Sequence, residues 1–286
     1  MPELPEVETV RTGLASEIIG RRIVSITPGD FPGVMGEIGI DHSAARIVDR
    51  EIIEIGRRGK YLILRFPDGD GVVIHLRMTG VVTMEAREAP FPRFHRLTLN
   101  LDGPVDLRYA DQRKFGRVIA ATPDDLAMLD SKLGPEPLGP DFTVESLQRS
   151  FHNRTAPVKA TLLDQSIVAG LGNIYVDEAL FRAGIHPRTA SGALGIDDLF
   201  ALHAAIRKVL EDGVRYRGTS FSSYRNANGS AGENQNHLAV YGRAARGEPC
   251  LRCGNPLARI VVGGRGTHYC PQCQQEAGMI ERTIAS

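Results

Sequence analysis

The 286-residue chain lacks several features that would assign it at once to a class of protein. It has no apolar run approaching the roughly 18–20 residues of a transmembrane helix, which argues against a membrane-spanning protein. It also lacks the basic segment and apolar stretch of a signal peptide, because its first residues are acidic. These two absences predict a cytoplasmic protein.

The chain also lacks a net charge, since 34 Lys and Arg balance 34 Asp and Glu. This balance alone argues weakly against a nucleic-acid partner. The distribution is uneven, however: residues 1–142 hold 18 basic and 22 acidic side chains (18 − 22 = −4), whereas residues 200–286 hold 11 and 6 (11 − 6 = +5). Nearly all of the C-terminal basic residues are arginines, which suit contact with phosphates, and solvated surface charge is the alternative.

Cysteine is absent from most of the chain, and all four cysteines lie near its C-terminus. They form a C-x2-C-x16-C-x2-C pattern of Cys250, Cys253, Cys270 and Cys273. This spacing predicts one Zn²⁺ ion held by four thiolates, a structural site with no open position for catalysis. Disulfides are the less favoured use of cysteine in a cytosolic protein. The metal would staple a small β-hairpin with Arg265 at its tip, where a guanidinium could reach nucleic acid.

The N-terminus permits two interpretations. If Met1 is removed, Pro2 carries a free secondary amine with a pKa of about 8, which can attack an aldehyde-level carbon to form an iminium ion. Glu3 and Glu6 lie close enough in sequence to transfer protons. Alternatively the segment is an ordinary helix start, because Pro5 suits a first helical turn and acidic residues there favour the helix dipole.

The rest of the chain divides into a strand-rich and a helix-rich part. Residues 5–19 are predicted to form an amphipathic helix, and residues 22–122 a series of short strands typical of an antiparallel sandwich or barrel. A Pro- and Gly-rich break at 134–142 is interpreted as a linker. Helices are then predicted at about 143–152, 157–165, 173–184 and 197–213.

A glycine turn separates the second and third of these helices and ends in Asn173, which is a good helix cap. The segment is therefore predicted to be helix, two turns, helix, and the N–H groups at the cap could hold a phosphate. Residues 217–237 are rich in Gly, Ser and Asn without periodicity, which favours a mobile flap. The predicted division is an N-terminal domain (1–133), the linker (134–142), a helical domain with the flap (143–247) and a zinc finger (248–286).

Several motifs, taken in order, resemble the bacterial formamidopyrimidine-DNA glycosylases, also called 8-oxoguanine DNA glycosylases. The resemblance spans the whole chain and ends with the cysteine finger. The motifs are residues 1–8 (MPELPEVE), 58–61 (RGKY), 75–80 (HLRMTG), 111–116 (DQRKFG), 172–175 (GNIY) and 240–243 (VYGR).

This resemblance implies an α+β protein with an N-terminal antiparallel β-sandwich led by a catalytic helix. It also implies a C-terminal helix-two-turns-helix domain with a four-Cys zinc finger, and damaged double-stranded DNA bound in the cleft between the domains. The implied enzyme is a base-excision-repair glycosylase and abasic-site lyase that flips out oxidised purines and cleaves the strand by β,δ-elimination. Pro2 would be the nucleophile and Glu3 an acid/base supported by Glu6. Lys60 would assist β-elimination and Arg265 the δ-elimination.

The resemblance also implies a set of DNA contacts. Met78, Arg113 and Phe115 would fill the space left by the flipped nucleotide. Phosphates would be bound by Lys60, His75, Arg154, Lys159, Asn173 and Arg265. For Arg154 and Lys159 the alternative is a solvated helix surface. The chain departs from many relatives in having Arg93 two residues before His95, and both are included as DNA contacts. Residues 220–224 would lie near the flipped base, and Asn234 replaces an aromatic residue of many relatives in the flap.

Two other functions remain open. The sister enzyme of the endonuclease VIII type prefers oxidised pyrimidines, but it usually begins Pro-Glu-Gly-Pro, whereas this chain begins Pro-Glu-Leu-Pro after Met1. A catalytically silent DNA-binding protein could use the same fold and finger, although the presence of Pro2, Glu3 and Lys60 argues against it. Nothing in the sequence suggests more than a monomer.

Overall fold

The computed structural model describes residues 1–37, 39–220 and 229–275. The chain forms two compact units. The first consists of residues 1–132 and 213–235, and the second of residues 133–212 and 236–286. The sequence-based division instead assigns the whole of 143–247 to one domain. Among the described residues, no helix combines the length and hydropathy needed to cross a lipid bilayer.

The first unit contains two antiparallel four-stranded sheets. Their strands follow the order β1-β6-β7-β5 in one sheet and β2-β3-β4-β8 in the other. The bounds are Ile23–Pro28 (β1), Glu54–Arg58 (β2), Tyr61–Arg65 (β3), Gly71–His75 (β4), Gly80–Ala86 (β5), His95–Leu101 (β6), Val105–Asp111 (β7) and Arg117–Ala121 (β8). One hydrophobic core takes side chains from both sheets, such as Leu64, Ile74, Leu99 and Leu107. The predicted antiparallel sandwich is confirmed.

The N-terminal helix α1 spans Leu4–Ile18 and begins one residue earlier than its periodicity predicts. Its apolar face consists of Val7, Val10, Leu14 and Ile18, all fully buried in the sandwich core. Burial of each of these side chains contributes about 1.5–3 kcal/mol. This anchoring fixes the first turn of the helix, and therefore Pro2, relative to the sheets.

Two further helices were not predicted: the first interrupts the predicted strands of residues 22–122, and the second follows them. They are α2 (Gly39–Ile47) and α3 (Pro123–Ser131). The α3 helix carries a recognisable start, because Thr122 is its N-cap and exchanges hydrogen bonds with Asp125. The α2 helix is nine residues long and keeps Ser43 and Ile47 buried, with Ile40 packed against the core. Its apolar spacing is helical but covers only about two turns, which is too short to distinguish a helix from the surrounding strands by pattern.

The second unit contains the predicted helices. They are α4 (Val144–Phe151), α5 (Val158–Leu163), α6 (Asn173–Ala183) and α7 (Ile196–Arg215), the last of which extends into the first unit. The α5 and α6 helices are joined by a turn in which Gly170 has a φ of +84°, as the helix-two-turns-helix prediction requires. Residues 134–142 contain neither helix nor strand.

The C-terminal hairpin is formed by Ala258–Val262 (β9) and Arg265–Tyr269 (β10). Val262 pairs with Arg265, so the loop consists of Gly263 and Gly264 alone. Both glycines have positive φ values, of 56° and 73°. A two-residue hairpin loop with two positive φ values requires residues without a Cβ penalty, which explains the Gly-Gly pair. The hairpin predicted between the cysteine pairs is confirmed.

Candidate active site and zinc site

The start of α1 is enclosed by protein. Pro2 is buried, and residues Glu3 and Glu6 are 2% and 1% exposed. Glu3 is the N-cap of α1, and its backbone N–H donates to Glu6 Oε2 at 2.8 Å. The other oxygen of Glu6 accepts the backbone N–H of Thr219 at 2.7 Å. Glu6 therefore ties the helix start to the segment that leads into the predicted flap.

Lys60 lies in the two-residue turn between β2 and β3. The turn is Gly59-Lys60, with Arg58 paired to Tyr61, and Gly59 has a φ of +54°. A positive φ at the first loop residue is typical of a type II′ hairpin, which favours glycine there. Lys60 is only 7% exposed, so the turn carries the ammonium group in a largely buried environment.

His75 lies on β4 directly across from Tyr61, and the two rings make an edge contact with centroids 4.4 Å apart. Burial, followed by the positive charges of Arg77 and Lys60, lowers the pKa of His75 to about 3. Its Nδ1 accepts the backbone N–H of Arg77 at 3.0 Å. A neutral imidazole that accepts at Nδ1 carries its proton on Nε2, so His75 can donate a hydrogen bond to a phosphate oxygen.

The three residues predicted to fill the space left by a flipped nucleotide, Met78, Arg113 and Phe115, come together at one exposed surface. They are called the wedge cluster below. Met78 and Phe115 are 40% and 50% exposed, and exposed apolar side chains that lie close together can mark a binding surface. Arg113 lies between them: its Nη1 is 3.0 Å from Met78 Sδ, and its Cζ is 5.0 Å from the centroid of the Phe115 ring. The cluster offers apolar surface beside a hydrogen-bond donor, the combination needed to replace a base and to contact its former partner.

Asp111 supports this cluster, a role that was not predicted from the sequence. It is 1% exposed and accepts the backbone N–H groups of Arg113 at 3.1 Å and Gly116 at 2.8 Å. It also accepts the hydroxyl of Thr79. A Cβ at Gly116 would lie 1.6 Å from the Tyr109 hydroxyl oxygen. The only available signal was an acidic residue shortly before a glycine in the loop that carries Arg113 and Phe115.

Arg93 and His95 occupy different environments. Arg93 is exposed, with its guanidinium 4.6 Å from the ring centroid of Phe94. His95 stacks on Phe91 with centroids 4.3 Å apart, and its Nε2 lies 2.8 Å from Thr98 Oγ1. Burial is the main cause that lowers the pKa of His95. Of the two, Arg93 is the better placed to meet a phosphate.

In the second unit, Asn173 and Arg265 lie close to each other. Asn173 begins α6, and its Nδ2 donates to the carbonyl of Gly266 at 2.9 Å, next to Arg265. A primary amide carries two N–H hydrogens, so this bond does not prevent contact with a phosphate. Arg265 and Arg154 are both exposed. The N-terminus of α6 and the finger arginine thus lie at the same end of this unit.

The structure contradicts the phosphate contact predicted for Lys159. Its side chain is fully buried, and its Nζ donates to Asp177 Oδ1 at 2.6 Å and to the Gly266 carbonyl at 3.1 Å. Asp177 Oδ2 in turn accepts the backbone N–H of His268 at 2.8 Å. Lys159 therefore supports the hairpin from inside. The available sequence signal was a pair of adjacent acidic residues, Asp177 and Glu178, in the largely apolar helix α6.

The four cysteines lie within one small cluster. Their sulfur atoms are all within 4.8 Å of one another, including 3.9 Å for Cys250–Cys273 and 3.5 Å for Cys253–Cys270. A tetrahedral Zn²⁺ with four bonds of about 2.3 Å requires sulfur atoms about 3.8 Å apart, so the cluster fits one zinc ion. Backbone N–H groups of Arg252 and Cys273 donate to sulfur at 3.4 Å each, which favours thiolates.

The predicted flap is described only at its two ends, because residues 221–228 lie outside the described part of the chain. The ends are joined to each other: Asn234 Nδ2 donates to Thr219 Oγ1 at 2.8 Å, and the Ser220 hydroxyl accepts the Gly232 N–H at 2.9 Å. Asn234 is 3% exposed, so it closes the base of the loop. Of the predicted base-contacting residues 220–224, only Ser220 is described.

Three family models match the chain. They are the formamidopyrimidine-DNA glycosylase N-terminal domain at residues 1–118, the formamidopyrimidine-DNA glycosylase H2TH domain at 133–225, and the zinc finger found in FPG and IleRS at 247–275. The third includes all four cysteines, so the cluster is a structural zinc site.

Individual proteins agree with the family models. The formamidopyrimidine-DNA glycosylase of Herpetosiphon aurantiacus is 43% identical over 96% of this chain and 100% of its own length. Crystal structures of the Lactococcus lactis Fpg (MutM) bound to Fapy-dG-containing DNA and to oxidised-pyrimidine-containing DNA each superpose with a TM-score of 0.88. They are 39% and 40% identical to the chain, and each covers 96% of this chain and 100% of its own.

Proposed function

Because the chain belongs to the formamidopyrimidine-DNA glycosylase family, we propose that it removes oxidised purines from double-stranded DNA through a Schiff base on Pro2. Family membership makes it a base-excision-repair DNA glycosylase that is also an abasic-site lyase, with one structural zinc ion. The substrate and the residue roles below are the proposal. We further propose that it acts on chromosomal DNA in the cytoplasm.

In the proposed first step, removal of Met1 frees the secondary amine of Pro2. Its lone pair attacks C1′ of the damaged nucleotide, and the bond from C1′ to the base breaks with the electron pair leaving on the base. Glu3 is positioned by the helix cap next to Pro2 and acts as the acid/base that protonates the sugar oxygen or the departing base. Displacement of the base leaves an aminal in which C1′ is bonded to both the proline nitrogen and the ring oxygen O4′. The nitrogen then loses its proton, and its lone pair breaks the C1′–O4′ bond as O4′ takes a proton from Glu3, which opens the sugar and gives an iminium ion on the enzyme.

The iminium ion then acts as an electron sink for strand cleavage. Loss of a C2′ proton expels the 3′ phosphate, and a second elimination expels the 5′ phosphate, which leaves a one-nucleotide gap. Lys60 is the proposed acid/base of the first elimination. Arg265 is the proposed phosphate ligand that favours the second, because a guanidinium stabilises a departing phosphate.

Recognition requires the damaged nucleotide to leave the base stack, at a cost of a few kcal/mol. The cluster of Met78, Arg113 and Phe115 supports this part of the proposal, since it presents exposed apolar side chains around a guanidinium. We propose that Met78 and Phe115 replace the stacking of the flipped base and that Arg113 hydrogen-bonds its former partner. His75, Asn173 and the exposed arginines would hold the backbone phosphates.

The observation that carries the proposal is that Pro2 is buried next to Glu3, the N-cap of α1, in a chain that belongs to this family. The test is borohydride reduction in the presence of duplexes with a single lesion. The enzyme should be trapped covalently on an 8-oxoguanine duplex and cut it. A form extended by one residue before Pro2 should give neither product, because its proline nitrogen would be an amide. Undiminished trapping by the extended form would rule out Pro2 as the nucleophile.

The same panel separates the remaining functions. An oxidised-thymine duplex cut much faster than 8-oxoguanine opposite cytosine would indicate the pyrimidine preference of the sister enzyme. DNA binding without any trapped complex would indicate a silent DNA-binding protein. Full activity with preferential cleavage of 8-oxoguanine would support the proposed substrate class.

A further inference from the structure

Arg57 connects the N-terminal helix to the turn that carries Lys60. Its Nε donates to Glu8 Oε2 at 2.9 Å, and its Nη1 donates to the Gly59 carbonyl at 3.0 Å. The Arg57 side chain is 11% exposed and that of Glu8 is 21% exposed, so solvent screens the ion pair only in part. The Arg57 guanidinium therefore hydrogen-bonds both to α1 and to the turn that carries Lys60.

Glu8 is held from two sides. Arg11 Nη2 contacts Glu8 Oε1 at 2.7 Å, while Arg57 takes Oε2. Burial alone would raise the pKa of Glu8, but the hydrogen bonds from Arg11 and Arg57 outweigh it, and the pKa is lowered from 4.5. Glu8 is therefore a fixed, ionised group at neutral pH. It lies four residues after Leu4, about 6 Å along the helix axis from the first residue of α1.

The Gly59 carbonyl belongs to the peptide group that leads directly into Lys60. A hydrogen bond to this oxygen fixes the peptide plane next to the Lys60 Cα, and with it the direction in which the lysine side chain leaves the turn. Gly59 alone would not provide this restraint, because a glycine with a positive φ is conformationally permissive. Arg57 therefore restrains the backbone of a turn whose glycine alone would leave its conformation unrestrained.

We propose that the Glu8–Arg57 ion pair is a positioning element that holds Lys60 at a set distance from the N-terminal proline. This role rests on the proposed function, in which Pro2 forms the iminium ion and Lys60 assists the elimination that follows. Proton transfer requires donor and acceptor within hydrogen-bond reach. Loss of the pair should therefore slow elimination more than it slows formation of the Schiff base, which does not use Lys60.

The chain supplies a matched control on the same strand. Arg58 follows Arg57, points to the opposite face of β2, and contacts Asp130 Oδ1 at 2.5 Å. Asp130 is 66% exposed and belongs to α3 rather than to α1. Asp130→Asn removes an ion pair of similar length without touching the link between α1 and the Lys60 turn.

The experiment uses the full-length enzyme and a duplex with a preformed abasic site, so that base recognition is bypassed. Arg57→Met, Arg57→Lys, Glu8→Gln and Asp130→Asn are compared with wild type for borohydride trapping and for single-turnover strand cleavage. A 1 Å displacement of a catalytic group can cost about 100-fold in rate. We expect Arg57→Met to cleave the strand about tenfold more slowly than wild type, with trapping within twofold of wild type. The cleavage rates of Arg57→Lys and Glu8→Gln should lie between those of Arg57→Met and wild type. Asp130→Asn should match wild type in both measurements.

The outcomes are distinguishable. Wild-type cleavage rates in Arg57→Met and Glu8→Gln would overturn the positioning role, as would an equal loss of trapping and cleavage or an equal defect in Asp130→Asn. If Arg57→Met does not fold, the conservative Arg57→Lys and Glu8→Gln variants decide between these results. Failure of wild type itself to be trapped would instead refute the proposed function, and the positioning role with it.

Discussion

Replacing Lys159 with methionine should destabilise the second unit strongly. The substitution keeps the aliphatic stem but removes the ammonium group that lies 2.6 Å from Asp177 Oδ1 at 0% exposure of both side chains. Asp177 would then keep its bond from the His268 backbone at 2.8 Å but lose its cation. An uncompensated charge of this kind costs about 3–5 kcal/mol, a large fraction of a typical total stability of about 5–15 kcal/mol.

The same substitution should also weaken the finger. Lys159 Nζ donates to the Gly266 carbonyl at 3.1 Å, beside Arg265, so its loss removes a hydrogen bond that holds the hairpin. We therefore expect slower strand cleavage and faster zinc release to a chelator than in wild type. Urea unfolding followed by circular dichroism measures the stability, and a chromogenic chelator measures the zinc.

Two comparisons test the reasoning. The double variant Lys159→Met with Asp177→Asn removes both charges and should lose less stability than Lys159→Met alone, because no buried charge remains. Lys208→Met breaks an ion pair of the same 2.6 Å length to Asp212, with side chains 45% and 29% exposed, and should cost less than about 0.5 kcal/mol. Equal losses of unfolding free energy in Lys159→Met and Lys208→Met would refute the interpretation as a buried ion pair. So would a double variant whose loss of unfolding free energy equals the sum of the losses in its two single variants.

Three further outcomes are expected. Cys270→Ser should lower bound zinc from one per chain to none and weaken DNA binding, since four thiolates hold the ion; retained zinc with full affinity would contradict the site. Gly116→Ala should destabilise the first unit by about 1–3 kcal/mol, because its Cβ would lie 1.6 Å from the Tyr109 hydroxyl oxygen. Gly56→Ala, whose nearest contact is 3.4 Å away, is the control. Burial acts to raise the pKa of Glu8, but its arginine hydrogen bonds lower it overall from 4.5. The stability difference between wild type and Glu8→Gln should thus be full above about pH 4.5 and vanish as the pH falls through the lowered pKa; a pH-independent difference would exclude this contribution.

Some features of the site follow from residues that are neighbours in sequence. The capping of α1 by Glu3 and Glu6 needs only a three-residue spacing. The Gly263-Gly264 turn follows from two residues that tolerate positive φ. The wedge cluster was predicted from the family resemblance, because residues 78 and 113 lie 35 positions apart and no local pattern links them.

Other features depend on contacts that no local pattern reveals. The link from Glu8 to Arg57 joins residues 49 positions apart, and the link from Glu6 to Thr219 joins residues 213 positions apart. The prediction for Lys159 was wrong because a basic residue next to a helix start is as compatible with a surface phosphate contact as with a buried ion pair. Its burial depends on α6 and the hairpin packing over it.

The sequence by itself determined the ligand set for zinc, the helix start behind Pro2, the strands of the first unit, the helices of the second unit and the hairpin that presents Arg265. These depend on residue type within a few positions, where covalent geometry limits the choices. Only the tertiary structure decided which charged groups face solvent and which are paired inside, as for Arg265 and Lys159. That outcome depends on the balance between desolvation and pairing at each position, and packing sets both.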